Sequence, residues 1–246
     1  MKLTDYEVLE NRETAAGTFA LLLSGDNSDI VKPGQFVNIA LDGFYLRRPL
    51  SVSHAFEDKL LLIYKVAGTG TAKLSKTGAG ETLNLLTGLG NGFDTERSGE
   101  SNLLIAGGAG VAPMYWLAEE LIARGKGVTA AIGFRTRNEI VLERELRELG
   151  AEVIVSTEDG SAGYSGYVTG AVAENADEHD YVYVCGPEAM MRSVYETIAL
   201  DGQYSFEERM ACAFGACMGC SCETLYGSKR ICRDGPVLYR EEIVWR

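Results

Sequence analysis

The spacing of four cysteines near the C-terminus restricts this chain more than any other feature of its sequence. Cys212, Cys217 and Cys220 are separated by four and two residues, and Cys232 follows after eleven more. The pattern C-x4-C-x2-C with a later fourth cysteine is that of plant-type [2Fe–2S] ferredoxins, in which four thiolates hold two irons. Small residues between the cysteines leave backbone N–H groups free to point at sulfur. The spacing therefore predicts a metal module with these four cysteines as ligands.

Structural zinc and disulfide bonds are the alternatives for the same cysteines. A four-cysteine zinc site usually has two C-x2-C pairs, and only Cys217 and Cys220 form one here. Disulfides are rare in the reducing cytoplasm, and the start of the chain lacks the apolar stretch of a signal peptide, so we expect a cytoplasmic protein. Cys222 fits no position of the pattern and is expected to be a free thiol. The iron–sulfur interpretation is favoured.

Three segments differ in their hydrophobic patterning. Residues 1–98 consist of short β-rich runs separated by turn residues, which predict a small antiparallel barrel. Residues 99–206 alternate buried strands with helices, the pattern of a parallel sheet with helices on its faces. Residues 207–246 carry five cysteines and show little periodicity, which indicates a small appended module.

The charge and composition exclude some partners. The 246 residues include 23 Lys and Arg against 35 Asp and Glu, a formal net charge of −12. Binding to nucleic acid or to an anionic membrane draws on clustered positive charge, so we expect neither partner. No apolar run approaches the roughly 18 residues of a membrane span. The 29 glycines make up about 12% of the 246 residues, against a usual content of ~7%. They suggest places where the backbone approaches a ligand.

Two turns in the second segment are candidates for binding a dinucleotide. Residues 107–110 (GGAG) follow a strand and open a helix, so a pyrophosphate can approach the N–H groups of the helix start. The spacing departs from G-x-G-x-x-G, because Pro113 stands where the third glycine would be, and a purely structural turn is the alternative. Cys185, Gly186 and Pro187 follow a later strand, at the edge where ligands of such sheets bind; a turn that only starts a helix is the alternative.

The first segment also contains groups suited to an anion. Arg47 and Arg48 precede Ser51 at the start of a strand, which brings guanidinium groups and a hydroxyl close together. Gly70 and Thr71 open a short helix-like stretch, a second place where N–H groups favour an anion. Either motif alone is weak, because an arginine pair on a strand is more often a solvated edge.

Together these motifs resemble the ferredoxin–NADP reductase superfamily, a flavin barrel followed by a nicotinamide domain. With the trailing cysteines, the chain is similar over essentially its whole length to the electron-transfer subunits of class 1B dihydroorotate dehydrogenase. The resemblance includes residues 207–212 (EERMAC) before the cluster and 232–237 (CRDGPV) after it. It implies an FAD-binding β-barrel domain at 1–98, an NAD-binding α/β domain at 99–206 and a [2Fe–2S] cluster module at 207–246.

The resemblance also implies the residues that contact each cofactor. Arg48 would hold the FAD pyrophosphate and Ser51 would lie near the flavin ring. The implied FAD contacts as a group are Arg48, Pro49, Leu50, Ser51, Ile63, Tyr64, Lys65, Gly70 and Thr71. The implied contacts to the nicotinamide cofactor are Gly108, Gly110, Asp159, Cys185, Gly186 and Pro187. For Asp159 a glycine-rich surface turn is the alternative. No residue is expected to be catalytic, since His54 and His179 match no such role.

The function implied by the resemblance is electron transfer in pyrimidine biosynthesis. Electrons would pass from an FMN-containing catalytic subunit through [2Fe–2S] and FAD to NAD+, in an assembly of two copies of each subunit. Hydride transfer needs alignment more than a protein acid or base, so few histidines suffice.

Three questions stay open at this point. The nearest alternative function is that of the FAD and [2Fe–2S] subunit of an NADH-dependent ferredoxin:NADP oxidoreductase or a sulfide dehydrogenase. Those subunits typically have Asp as the first cluster ligand, where this chain has Cys212, so Cys212 favours the pyrimidine-pathway subunit. A non-catalytic, zinc-stabilised nucleotide-binding module is an alternative of another class. No acidic residue ends the second strand of the nicotinamide domain, where Arg135 and Arg137 stand instead and could hold a 2′-phosphate, yet the resemblance implies NAD.

Overall fold

Alternating apolar residues in the N-terminal part of the chain build one antiparallel sheet. The computed structural model of the chain describes residues 1–173 and 176–245. The strands are β1 (Lys2–Ala15), β2 (Thr18–Ser24), β3 (Phe36–Ile39), β4 (Arg48–Ser51), β5 (His54–Phe56), β6 (Lys59–Lys65) and β7 (Thr82–Leu89), with helix α1 (Thr69–Leu74) before β7. They pair in the order β4-β3-β7-β1-β2-β6-β5. One face of each strand packs into a common apolar core, as the period of two requires.

The two-residue link between β4 and β5 curls this sheet. The Val52 N–H donates to the carbonyl of Gln35 beside β3 at 3.0 Å, and the Ser53 N–H donates to the carbonyl of Leu61 in β6 at 3.0 Å. The link therefore connects strands from opposite ends of the sheet, and the sheet forms a half-barrel. The predicted antiparallel flavin-type barrel is confirmed in this form.

The second half of the chain alternates strands and helices as predicted. Its elements are β8 (Ser101–Gly107), α2 (Val111–Ala123), β9 (Gly127–Phe134), α3 (Glu143–Leu149), β10 (Glu152–Thr157), β11 (Tyr164–Ser165), α4 (Val168–Val172), β12 (Tyr181–Cys185), α5 (Glu188–Thr197) and β13 (Gly202–Ser205). Strands β8 to β13 pair parallel to one another. The chain winds outward from β8 through β9 and β10, then returns to the other side of β8 with β12. The order therefore reverses between β8 and β12, which is where open α/β sheets bind ligands.

The C-terminal segment combines a small hairpin with a strand of the large sheet. Its elements are β14 (Ser221–Thr224), β15 (Gly227–Arg230) and β16 (Val237–Tyr239). The hairpin of β14 and β15 fills the interval between Cys220 and Cys232. Strand β16 pairs antiparallel with β13 and becomes the seventh strand of the second sheet. The segment predicted as a separate module at 207–246 thus returns to the domain before it, and the predicted domain limits stay predictions. Arg246 lies outside the described residues.

Asn91 joins the C-terminal segment to the barrel. Its backbone N–H donates to the carbonyl of Gly235 at 2.7 Å. Its side-chain amide donates to the carbonyl of Val237 at 2.8 Å and accepts from the Val237 N–H at 3.1 Å. Gly90 beside it has φ +81°, and a Cβ there would lie 2.6 Å from Cδ of Pro236. Barrel and C-terminal segment are therefore in direct contact.

Among residues 1–173 and 176–245, no helix is both long and apolar enough to cross a bilayer.

We expect Asn91→Ala to lower the free energy of unfolding by about 1–3 kcal/mol, because the N–H and C=O of Val237 lose their side-chain partner. Urea unfolding monitored by tryptophan fluorescence measures the change. Asn138→Ala, which removes an exposed amide of the same type, is the matched control. A loss no larger than that of the control would mean that Asn91 does not hold the segment in place.

Candidate functional site

A cavity of about 900 Å³ lies at the reversal point of the second sheet. Its floor is formed by the turn at residues 107–110 after β8 and by Gly186 and Pro187 after β12. Lys65 at the end of β6 contributes from the barrel, so the cavity spans both domains. The structure thus brings the two predicted dinucleotide turns to one site beside the predicted flavin strand.

The glycines of this site are required by close backbone packing. A Cβ on Gly110 would lie 2.3 Å from the carbonyl oxygen of Cys185, and a Cβ on Gly186 would lie 2.9 Å from the backbone nitrogen of Gly107. Gly108 has φ +53° and no atom within 4 Å of a Cβ position. Its backbone therefore faces open space, where a phosphate or ribose can approach it.

The thiol of Cys185 does not face this space. The residue is 2% exposed, and burial raises the pKa of its thiol to about 12. The thiol is consequently protonated and unreactive at neutral pH. Cys185 contributes to the site through its backbone, against which Gly110 packs.

Asp159 lies in a turn beside the cavity. Its carboxylate accepts hydrogen bonds from the N–H of Ser161 at 2.9 Å and from the Ser161 hydroxyl at 2.6 Å. These bonds hold the pKa of Asp159 below its ordinary value. The carboxylate closes the loop after β10, and Glu158, its neighbour, lines the cavity instead. Its predicted contact with the nicotinamide cofactor stays a prediction.

Arg48 and Gly70 meet at the predicted flavin site. A Cβ on Gly70 would lie 2.1 Å from Nε of Arg48, so the glycine makes room for the arginine side chain at the start of α1. The guanidinium lies 4.6 Å from the ring centre of Phe44 and donates to the carbonyl of Leu46. The Thr71 hydroxyl accepts from the N–H groups of Ala67 and Gly68 at 3.0 and 3.2 Å. A fixed cation thus stands beside a short helix start.

Arg47 points away from this corner, as expected for the neighbouring residue along the chain. Its guanidinium donates to the carbonyl and the side-chain oxygen of Asn84 in β7, at 3.0 and 2.7 Å. Pro49, Leu50 and Ser51 in β4 are partly exposed, and Leu50 packs against the barrel core; their predicted contacts with FAD stay predictions.

The side chain of Tyr64, a predicted flavin contact, lies in the barrel core. The side chain is 1% exposed, and its hydroxyl donates to Oδ1 of Asn11 at 3.1 Å inside the barrel. Successive residues of a strand face opposite sides, so Lys65 reaches the cavity while the ring of Tyr64 faces the core. Ile63 is buried among residues of the nicotinamide domain. The predicted flavin contacts of Ile63 and Tyr64 stay predictions.

The four predicted cluster cysteines form two close pairs. The Cys217 N–H donates to Sγ of Cys212 at 3.4 Å, and the Cys232 N–H donates to Sγ of Cys220 at 3.4 Å. Within the described part of the chain, no three His, Cys, Asp or Glu side chains converge on one metal position. Two pairs of thiols suit a group of two irons, each taking two protein sulfurs, so the residues fit a [2Fe–2S] cluster.

Backbone amides favour the metal-binding thiolate form of Cys212, whereas burial raises the pKa of the Cys232 thiol to about 12. Burial disfavours the Cys212 thiolate, but N–H groups including those of Cys217 and Phe214 donate to the sulfur and lower its pKa to about 6. The thiolate is the form that binds iron. Burial raises the pKa of Cys222, which lies on β14 outside the two pairs. Cys222 therefore fits the prediction of a free thiol.

Sequence reasoning missed the acidic groups of the cavity. Glu139, in the turn after β9, accepts from Lys65 at 2.9 Å and from Arg135 at 2.8 Å. Glu207 lines the cavity at the start of the C-terminal segment, where crowding of its carboxyl by protein raises its pKa. The spacing of four residues between Arg135 and Glu139 could have indicated an ion pair. No local pattern in the sequence places Glu207 at the cavity.

Family models match two parts of the chain. Residues 207–244 match the iron-sulfur cluster binding domain of dihydroorotate dehydrogenase B. Residues 104–196 match an oxidoreductase NAD-binding domain. The two matches cover the cysteine pairs and most of the cavity.

Curated relatives match over the full chain. The chain is 39% identical over 258 residues to the dihydroorotate dehydrogenase B (NAD+) electron transfer subunit of Geobacillus sp. (strain WCH70), with 99% of both chains covered. It is 37% identical over 253 residues to the protein of the same name from Listeria monocytogenes serotype 4a (strain HCC23), again with 99% of both covered.

Solved structures share the fold. An NADH-dependent reduced ferredoxin-NADP oxidoreductase superposes with a TM-score of 0.88 at 28% identity, over 98% of this chain and 90% of that one. The FAD/NAD-binding domain of nitric oxide dioxygenase from Vibrio cholerae has a TM-score of 0.71 at 24% identity, over 82% and 97%. The second likeness shows the fold of barrel and sheet alone.

Arg48→Ala should weaken FAD binding about ten- to a hundredfold, because it removes a charge-assisted contact worth roughly 1.5–3 kcal/mol. Titration of the flavin-free chain with FAD, followed by flavin fluorescence, measures the affinity. Arg47→Ala is the matched control, since that guanidinium binds Asn84. Equal affinities of the Arg48 variant and the unaltered chain would place the pyrophosphate elsewhere.

Replacing any one of Cys212, Cys217, Cys220 and Cys232 by Ser should remove the iron–sulfur absorbance of anaerobically purified protein, because one of the two irons then lacks a thiolate ligand. Cys222→Ser should keep it. Iron and sulfide analysis together with the visible spectrum is the measurement, and loss of the bands in the Cys222 variant would contradict the ligand assignment.

Proposed function

Because the chain belongs to the family of dihydroorotate dehydrogenase B electron transfer subunits, we propose that it carries electrons from a separate FMN-containing catalytic subunit to NAD+ in pyrimidine biosynthesis. The route would lead through a [2Fe–2S] cluster and FAD on this one chain. Dihydroorotate loses two electrons and two protons at the catalytic subunit, and NAD+ takes up two electrons and one proton as hydride.

One observation carries the proposal: the buried cysteine pair packs against the same strands that end at the cavity. Cys220 and Cys232 are buried in the same apolar cluster as Ile105 of β8 and Val184 of β12, the two strands that end at the cavity. Asn91 ties the same segment to the barrel. A cluster held there would have a constant position relative to a flavin and a nicotinamide, as electron transfer between fixed centres needs.

Binding and alignment are the tasks of this chain's own residues. Arg48 would hold the FAD pyrophosphate, and Gly108 and Gly186 would let the nicotinamide dinucleotide approach the strand ends. Lys65 and Glu139 connect the barrel to the nicotinamide domain across the cavity. FAD, when bound, exchanges hydride with a nicotinamide and single electrons with an iron–sulfur centre. No protein acid or base is required at the hydride step.

The ferredoxin-linked function is the second candidate, and the high superposition with an NADH-dependent reduced ferredoxin-NADP oxidoreductase favours it. Cys212 supports the dihydroorotate-linked function instead. The ferredoxin-linked subunits are similar to this chain but typically have Asp at the position of Cys212. The zinc-stabilised module is disfavoured by the pairwise arrangement of the four thiols.

The assembly we propose contains two copies of this chain and two of the catalytic subunit. The surface beside the cysteine pairs supports a docking role, because Phe214, Met218 and Cys217 are exposed there. The compartment we propose is the cytoplasm, where six unpaired cysteines remain reduced.

The purified chain with its FAD and cluster should reduce artificial dyes with NADH but should not reduce NAD+ with dihydroorotate. Adding the FMN subunit of a relative should restore NADH formation from dihydroorotate, because the missing oxidation site is supplied. Cys217→Ser should abolish the restoration and keep part of the direct dye reduction at FAD. Absorbance of NADH and of the dye follows both reactions.

An inactive mixture would contradict the proposal if the same chain passed electrons from NADH to ferredoxin. That result would establish the ferredoxin-linked function. Cys222→Ser is the matched control and should behave like the unaltered chain.

A further inference from the structure

Two arginines follow the end of β9, and one of them, Arg135, lines the cavity. In dinucleotide-binding folds the end of the second strand lies at the adenine ribose, where NADP carries a 2′-phosphate and NAD carries a hydroxyl. Unengaged guanidinium groups at that place would bind the phosphate. Arg135 and Arg137 are the candidates, and the structure shows what each of them binds.

Arg135 is held by Glu139. Its Nη2 donates to Oε1 of Glu139 at 2.8 Å, and its Nε donates to Oε2 at 3.4 Å. The arginine side chain is 65% exposed, whereas the Glu139 side chain is 15% exposed. The more buried carboxylate therefore determines the direction of the guanidinium.

Glu139 is itself fixed from the barrel side. The Lys65 ammonium lies 2.9 Å from Oε2 of Glu139. Partial burial opposes ionisation, but the hydrogen bonds from Lys65 and Arg135 hold the pKa of Glu139 below its ordinary value. The carboxylate is therefore charged at neutral pH and forms ion pairs with both Lys65 and Arg135.

Arg137 is directed elsewhere. Its Nε donates to the carbonyl of Ser161 at 2.8 Å, and its backbone N–H donates to the Ser161 hydroxyl at 2.8 Å. The guanidinium thus connects the turn after β9 to the loop after β10.

A second carboxylate stands next to Arg135. Glu158 directly follows β10, the neighbour of β9, and its N–H donates to the carbonyl of Phe134 at 3.0 Å. Both Glu158 and Arg135 line the cavity. A phosphate placed at Arg135 would meet two negative groups, and like charges at short distance repel.

Building on the proposed function, we propose that Glu139 is the positioning residue that gives this chain its preference for NAD over NADP. It withholds the Arg135 guanidinium from a 2′-phosphate, and Glu158 adds repulsion. The hydroxyl of NAD carries no such charge and is tolerated.

Glu139→Gln in the full chain with its FAD should raise kcat/KM for NADPH relative to NADH by about tenfold or more, the size of one charge-assisted hydrogen bond. Calorimetry should show a similar gain in affinity for adenosine 2′,5′-bisphosphate relative to 5′-AMP. The gain should disappear in the double variant Glu139→Gln, Arg135→Ala, because Arg135 is the group that is released.

Glu143→Gln is the matched control, since Glu143 forms an ion pair with Arg147 on α3 at 3.2 Å, apart from the cavity lining. It should leave the NADPH to NADH ratio unchanged. An unchanged ratio in Glu139→Gln, or a gain that survives Arg135→Ala, would overturn the proposal.

Glu158→Gln keeps the test decisive if the Glu139 variant fails to fold, because Glu158 is exposed. It should raise the ratio by removing the repulsion, and an unchanged ratio there would overturn the proposal. Absence of any reaction with NADH and of 5′-AMP binding in the unaltered chain would overturn the proposed function and this inference with it.

Discussion

The attachment of residues 235–239 to both domains is the constraint on which the arrangement of the molecule depends. Strand β16 extends the second sheet through β13, while Asn91 binds Gly235 and Val237 from the barrel. The four cluster cysteines precede this stretch, and two of them, Cys220 and Cys232, are buried in an apolar cluster with strands of the sheet. Net contributions of single hydrogen bonds are about 1 kcal/mol, so the arrangement depends on bonds and core packing acting together. Three binding sites are thereby kept at set separations within one chain.

Sequence reasoning succeeded where the chemistry depends on neighbouring residues. The spacing from Cys212 to Cys220 limits which thiols can meet, and the structure pairs Cys212 with Cys217 as a short loop permits. The glycines of the turn at 107–110 predict close approach of a ligand, which stays a prediction, and the structure gives Gly110 a further reason to be glycine, since it packs on the backbone of Cys185. Strand and helix alternation predicted the parallel sheet and hence the edge at which these turns meet.

The unpredicted features join residues that are far apart in the chain. Lys65 and Glu139 come from different domains, and the amide of Asn91 binds a carbonyl 146 residues away; no local pattern encodes either contact. Tyr64 is a different case, because the resemblance grouped it with Ile63 and Lys65. A strand alternates its faces, so three consecutive side chains cannot all point at one flavin. The sequence predicts that side chains of β6 alternate between two faces. Which of the two faces lies in the barrel core is determined by the way the sheet closes.

The two cysteine pairs differ in their exposure to solvent. This difference bears on how iron and sulfide reach the four thiols. Cys217 is exposed and Cys212 is partly so, whereas Cys220 and Cys232 are buried beneath them. Iron and sulfide must therefore enter from the Cys217 side, through the surface that also carries Phe214 and Met218. A subunit docked on that surface would block the entrance. With the partner docked there, cluster insertion into the folded chain would have to precede assembly, and a chain captured early would lack its inorganic centre.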